Sequence, residues 1–211
     1  MKAAVAGSTG FIGSILLDFL KDDKYFSEVQ VLSRRELGLS AKFKVLVGNL
    51  SQQKLESVDI AFCALGTTIA TAGSQDAFYH VDHDLVIDFA NNAKEAGAKT
   101  FVLVSSVGAN PKTSNFYLKV KGETEKDLEA IGFDSLIILR PSMLMGQRKE
   151  FRFGELIGKG VMTLFNPLML GSLSKYKGIQ GKTVANAMIK LGKENLKGVH
   201  VLEGNDLHAF S

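Results

Sequence analysis

Short apolar runs alternate along this chain with longer stretches in which apolar residues recur every three or four positions. The runs rich in Val, Ile and Leu predict strands at 2–6, 28–33, 44–48, 60–64, 100–105, 135–139 and 199–203. Most are continuously apolar rather than alternating, as parallel strands covered on both faces should be. Helical spacing marks 12–21, 79–96, 115–131 and 182–193. Across 76–96, Phe78, Val81, Leu85, Phe89 and Ala93 form the expected buried stripe, and Gly97 supplies the stop. Such a strand–helix–strand succession predicts an α/β fold, a doubly wound parallel sheet of Rossmann type with helices on both faces. Sheets of this kind bind ligands beyond the strands' C-terminal ends, where strand order reverses. No repeat or low-complexity linker divides the chain. It reads as one domain over 1–211, with 147–181 as a substrate-side insertion.

Composition narrows the class of function. With 211 residues, 45% hydrophobic and 22% charged, the chain can bury a full core and resembles an ordinary soluble domain. A net charge of +3 is too mild to point to nucleic acid or an anionic membrane surface. No apolar run approaches the ~18–20 residues of a membrane span, and because the chain opens directly into its first element we expect no signal peptide. Cys63 is the single cysteine, which excludes an internal disulfide and fits a reducing compartment. These features lead us to expect a cytoplasmic protein with no nucleic-acid or membrane partner.

The first candidate site is "AVAGSTGFIG", residues 4 to 13. Gly7, Gly10 and Gly13 follow the first strand and open the first helix, as a dinucleotide-binding turn requires. Gly7 would permit the tight turn, Gly10 the close approach of backbone to pyrophosphate, and Gly13 close contact of helix and sheet. N–H groups at the helix start would then face the phosphates. The alternative is a glycine-rich corner without a ligand. The second strand ends in "VLSRRE", residues 31 to 36. An NAD site places a carboxylate there for the ribose 2′-OH; this chain has Arg34 and Arg35, with Glu36 only afterwards. Guanidinium groups suit a 2′-phosphate, so NADP(H) is favoured over NAD(H). A solvated basic loop is the plain alternative.

A third constellation lies between residues 102 and 132. Ser105 and Ser106 end a strand, while Tyr117 and Lys121 are four apart and share one helix face. A free phenol titrates near ~10, and a nearby ammonium lowers it. Tyr117 could then exchange a proton with a substrate alkoxide while Ser106 hydrogen-bonds the same oxygen. Otherwise this is a helix with an ordinary tyrosine and surface lysines.

Taken together, these stretches resemble the short-chain dehydrogenase/reductases of the extended or atypical kind, and among them the Tat-interacting-protein-like oxidoreductases. The matching segments are "FCALGTT" (62 to 68), "AGSQDAFYHVDHDLV" (72 to 86), "SSVGAN" (105 to 110), "SNFYLKVKGETE" (114 to 125) and "LRPSMLMG" (139 to 146). The resemblance implies Ser106, Tyr117 and Lys121 as catalytic residues. It implies a cofactor lying along Gly7, Ser8, Thr9, Gly10, Phe11, Ile12 and Gly13, with Arg34 and Arg35 at the adenosine ribose. Asn49 and Leu50 would stand near the adenine. Leu65, Gly66, Thr67 and Ser105 would follow the cofactor's length, Pro141 and Ser142 would flank the nicotinamide, and Tyr117 and Lys121 would touch it too. Two departures stand out: Asn49 replaces an acidic residue of many relatives, and Asp82 occupies the helix position often held by a fourth catalytic Asn.

The expected function is therefore NADP(H)-dependent hydride transfer to or from a small carbonyl or alcohol. A non-catalytic NADP(H)-binding regulatory module is the competing class. A sugar-nucleotide epimerase ranks below both, because too little chain follows Arg140 for its usual substrate domain. His80 and His83 lack a second pair of ligands and read as helix surface, so no metal is expected. Cys63 reads as core, and Asp127 and Glu129 as a charged helix face. Met162, Phe165, Leu168 and Met169 suit a substrate pocket, a cover for the sheet or a homodimer contact.

Overall fold

A computed structural model describes residues 1–146, 178–194 and 196–211. The order of elements is β1 (Lys2–Ala6), α1 (Phe11–Asp22), β2 (Glu28–Ser33), β3 (Phe43–Val47), β4 (Ile60–Cys63), α2 (Ile69–Ala72) and α3 (Gln75–Tyr79). A π-helical turn (His80–Asp84) leads into α4 (Leu85–Glu95), followed by β5 (Thr100–Val104), α5 (Phe116–Ile131), β6 (Ser135–Arg140) and β7 (Leu144–Met145). The described chain closes with β8 (Ile179–Gln180), α6 (Gly181–Lys193), β9 (Gly198–Glu203) and α7 (Asn205–His208). Seven strands form one sheet in the order β3-β2-β1-β4-β5-β6-β9, and every pairing is parallel. The doubly wound α/β architecture expected from the sequence is present.

The central strands are largely apolar because they feed two cores. Ala3, Val5, Val29, Val31, Phe62, Val102 and Ile137 face α1 and α6. Their neighbours Ala4, Ala6, Leu32, Ala61, Cys63, Phe101 and Ile138 face α4 and α5. Each large side chain buried in this way contributes about 1.5–3 kcal/mol, so both helical layers are held by the strands' period of two. Strand order reverses at β1, whose neighbours are β2 on one side and β4 on the other. A crevice therefore opens above the C-terminal ends of β1 and β4.

One helix departs from its expected form. The stretch 79–96 is not one α-helix: α3, the π-turn and α4 share it. The wider turn shifts the stripe by one position, so Asp82 and Val86 are buried while Val81 and Leu85 stay half-buried. The third strand runs over Phe43–Val47, one residue earlier than expected. Of the expected insertion at 147–181, residues 147–177 lie outside the described residues, as do Met162, Phe165, Leu168 and Met169. The described flanks meet: β7 and β8 pair in a short parallel sheet of their own.

Candidate functional site

The turn after β1 is built by glycine. Gly7 has φ +83°, and a Cβ there would lie 2.4 Å from the Ala64 carbonyl carbon and oxygen. The turn is thus pressed onto the end of β4, at the point where the strand order reverses. Gly13 would bring a Cβ to 2.1 Å from the Gly7 oxygen and 2.9 Å from Ser8 Cα. Its smallness lets α1 close on the turn, not on the sheet as the sequence suggested. Gly10 is the N-cap, in extended conformation at φ −75°, ψ 174°, and its own Cβ would stand 3.3 Å from the Gly7 oxygen. No side chain caps α1 and no acidic residue occupies its first turn. The positive end of a twelve-residue helix therefore points into the crevice, which suits a pyrophosphate. Ser8 and Ile12 are buried beneath the turn and Thr9 is exposed at its tip.

At the end of β2, Ser33 folds back on the chain. Its hydroxyl donates to the Arg35 carbonyl at 2.7 Å and accepts from the Arg35 N–H at 3.2 Å. Arg34 and Arg35 are exposed, and neither forms an ion pair among the described residues. Asn49 is exposed after β3 and accepts from the Ser51 N–H and hydroxyl, while Leu50 is buried in the core beside α4.

The helix α5 carries the candidate chemistry. Asn115 caps its start by accepting from the Leu118 N–H at 3.1 Å. Gly122 lets α5 meet the loop after β5, since a Cβ there would lie 2.3 Å from Pro111 N. That loop follows Ser106 and is tied on both sides. The Asn110 N–H donates to the Leu118 carbonyl at 3.0 Å, and the Val107 N–H to the Pro141 carbonyl at 3.0 Å. Ser106, Tyr117 and the Pro141–Ser142 loop are thereby gathered at the C-terminal ends of β5 and β6. Tyr117 is half-buried and packs on Phe78, with ring centroids 5.6 Å apart.

Lys121 is not a surface lysine. It is 4% exposed, and its Nζ lies 2.7 Å from Asp82 Oδ1. Asp82, 1% exposed, accepts the Thr67 N–H on Oδ2 at 2.7 Å. The π-turn aims this carboxylate inward, and Thr124 on α5 fixes the turn by donating to the Asp82 carbonyl at 3.0 Å. One buried carboxylate thus joins the candidate catalytic lysine to the Gly66–Thr67 loop. The sequence marked Asp82 only as a departure from a family pattern, because the π-turn that buries it slips the helical register.

Ser105 serves a different network. It is buried, and its hydroxyl donates to Glu125 Oε1. Arg140 holds the same carboxylate through Nε at 3.0 Å and Nη2 at 2.5 Å. The hydrogen bond it donates to Glu125 raises Arg140 above the ordinary guanidinium pKa. Glu203 lies 4.0 Å from Arg140 and accepts the Gly108 N–H at 3.1 Å. This cluster ties α5, β6 and β9 to the Ser106 loop. Two histidines also have firm places: His83 lies between Asp84 and Asp127, at 2.9 and 3.0 Å, and His80 beside Asp84 at 3.3 Å.

The sequence model of a family described as NAD(P)H-binding matches residues 7–160, spanning the turn, Arg34, Asp82, Tyr117 and Lys121. The chain belongs to that family. A relative from Kluyveromyces lactis, named Protein FMP52, mitochondrial, is 36% identical over 204 residues, covering 92% of this chain and 91% of its own length. The Saccharomyces cerevisiae protein of the same name is 41% identical over 165 residues, covering 73% and 71%. These names overturn the expected cytoplasmic location, which rested on composition and a lone cysteine. Neither quantity distinguishes one reducing compartment from another. Among solved structures, MoeE5 in complex with UDP-glucose and NAD has a TM-score of 0.71 at 15% identity, covering 99% of this chain and 80% of that one. Human epimerase family protein SDR39U1 with NADPH has a TM-score of 0.63 at 20% identity, covering 95% and 73%. The chain thus shares its fold with one protein seen with NAD and with another seen with NADPH.

Proposed function

We propose that the chain is an NADP(H)-dependent oxidoreductase that acts on a small carbonyl or alcohol, working in the mitochondrion like its named relatives. The observation that carries the reading is the buried Lys121 one helical turn from Tyr117, beside the strand end that bears Ser106. A lysine is seldom fully buried unless its charge is paired, as Asp82 pairs this one. A bound nicotinamide would supply or accept the hydride. Lys121 presents its ammonium to the ribose and the phenol, with Asp82 offsetting its charge. Tyr117 passes its hydroxyl proton to the oxygen that becomes an alkoxide, and Ser106 donates a hydrogen bond to that oxygen. The first turn of α1 binds the pyrophosphate through backbone N–H groups, and Arg34 and Arg35 favour the 2′-phosphate over a bare hydroxyl.

Two measurements on one preparation test this. Calorimetry with NADPH and NADH should show tighter binding of NADPH, and the double variant Arg34→Ala, Arg35→Ala should lose the difference. A panel of aldehydes, ketones and quinones, followed by NADPH oxidation, should yield turnover that falls by about 10²–10⁴ in Tyr117→Phe, with NADPH affinity kept. Tight NADPH binding without turnover of any compound would favour a regulatory module. Equal affinity for the two nucleotides would remove the assignment of Arg34 and Arg35.

A further inference from the structure

We infer that Asp82 sets the balance between oxidised and reduced nucleotide in this site, by cancelling the charge of Lys121. The inference rests on the NADP(H) reading above. The oxidised nicotinamide ring carries a positive charge that the reduced ring lacks. A lone ammonium beside it would penalise the oxidised form. Here the ammonium faces a carboxylate at 2.7 Å, with side-chain exposures of 5% for Lys121 and 1% for Asp82, so water screens the pair little. The pair presents no net charge, and the penalty on the oxidised ring is lifted.

The geometry separates this role from packing. Asp82 is fixed from three sides: by Lys121, by the Thr67 N–H at 2.7 Å and through its own carbonyl by Thr124 at 3.0 Å. Asparagine is nearly the same size but has one oxygen where Asp82 uses two, Oδ2 for the Thr67 N–H and Oδ1 for the ammonium, so its NH2 must face one of these donors. It also leaves the lysine's charge uncancelled. The reverse removal, Lys121→Met, leaves a carboxylate alone, which favours a positive ring. The two single variants should therefore shift nucleotide preference in opposite directions, which damage to packing would not do.

The test is the ratio of dissociation constants for NADP+ and NADPH, measured by calorimetry on the wild type, Asp82→Asn, Lys121→Met and the double variant. Asp82→Asn should raise the ratio by about tenfold, and Lys121→Met should lower it by a similar factor. The double variant should return within about threefold of the wild type. Thermal melts identify folded variants, and if one single variant fails to fold, the other and the double variant still decide the sign. A ratio that stays fixed, or that moves the same way in both single variants, overturns the inference while leaving the cofactor reading intact. A wild type that binds neither nucleotide overturns the reading itself.

Discussion

Substituting alanine at each glycine of the first turn separates what the fold needs from what the nucleotide needs. At Gly13 alanine gains about 1 kcal/mol in helix propensity. Its Cβ would stand 2.1 Å from the Gly7 carbonyl oxygen, where ordinary contact begins near 3.4 Å. The opposing atoms are backbone, so the turn must move, and overpacking of that kind costs about 3 kcal/mol or more. The net loss should be about 2 kcal/mol or more. At Gly7 the left-handed φ of +83° adds about 1–2 kcal/mol to a 2.4 Å overlap with the Ala64 backbone, so Gly7→Ala should be at least as damaging. Gly10 is different: its φ of −75° suits any residue and the nearest atom is 3.3 Å away. Gly10→Ala should cost no more than about 1 kcal/mol. Gly10→Leu should fold as well yet weaken NADPH binding, because its side chain fills the space above the helix start. Urea unfolding gives the stabilities and calorimetry the affinities. If Gly13→Ala proves as stable as Gly10→Ala, the close-packing account of the turn is wrong.

Two further predictions concern groups away from the crevice. Asp23 joins α1 to Lys193 of α6; burial acts to raise its pKa, but hydrogen bonds from Lys193 and the Tyr25 N–H outweigh that and hold it below the ordinary 3.8. A depressed carboxylate stabilises the fold above its unfolded pKa, so the stability advantage over Asp23→Asn should be present at neutral pH and vanish as pH falls below 3.8, as unfolding curves in acid will show. Burial pushes the Cys63 thiol up to about 12, so a thiol-specific reagent at pH 8 should leave the native protein unmodified and label it only in denaturant; rapid native labelling would contradict the packing of β4.

Much of the fold was legible because parallel strands need apolar residues on both sides. Most strand boundaries therefore fell within a residue of their expected places, and α5 followed the helical spacing over 115–131. The stretch around Asp82 was misread for a physical reason. A stripe chosen by hydrophobicity cannot foresee that a π-turn will slip the register, nor that a buried carboxylate will be matched by a lysine from another helix. Ser105 was legible as a strand-end serine, but its partner Glu125 looked like any charge on an amphipathic helix. What distinguishes such a residue is the three-dimensional meeting of Glu125, Arg140 and Glu203, elements spread far along the chain. The glycine turn lies where the sequence put it, between β1 and α1, while the part played by Gly13 depended on contacts that spacing does not disclose.

Phe11 carries a consequence of another kind. Its ring fills the space beside Gly146 and Gly181, where a Cβ would come within 2.5 and 2.6 Å of it. Gly146 follows β7 and Gly181 opens α6. The same phenylalanine is the first residue of α1, whose backbone faces the crevice. One aromatic ring therefore acts as a hub on which the end of β7, the start of α6 and the start of α1 all bear. A larger side chain at either glycine would press on this ring and, through it, on the first turn of α1, although the three positions lie far apart along the chain.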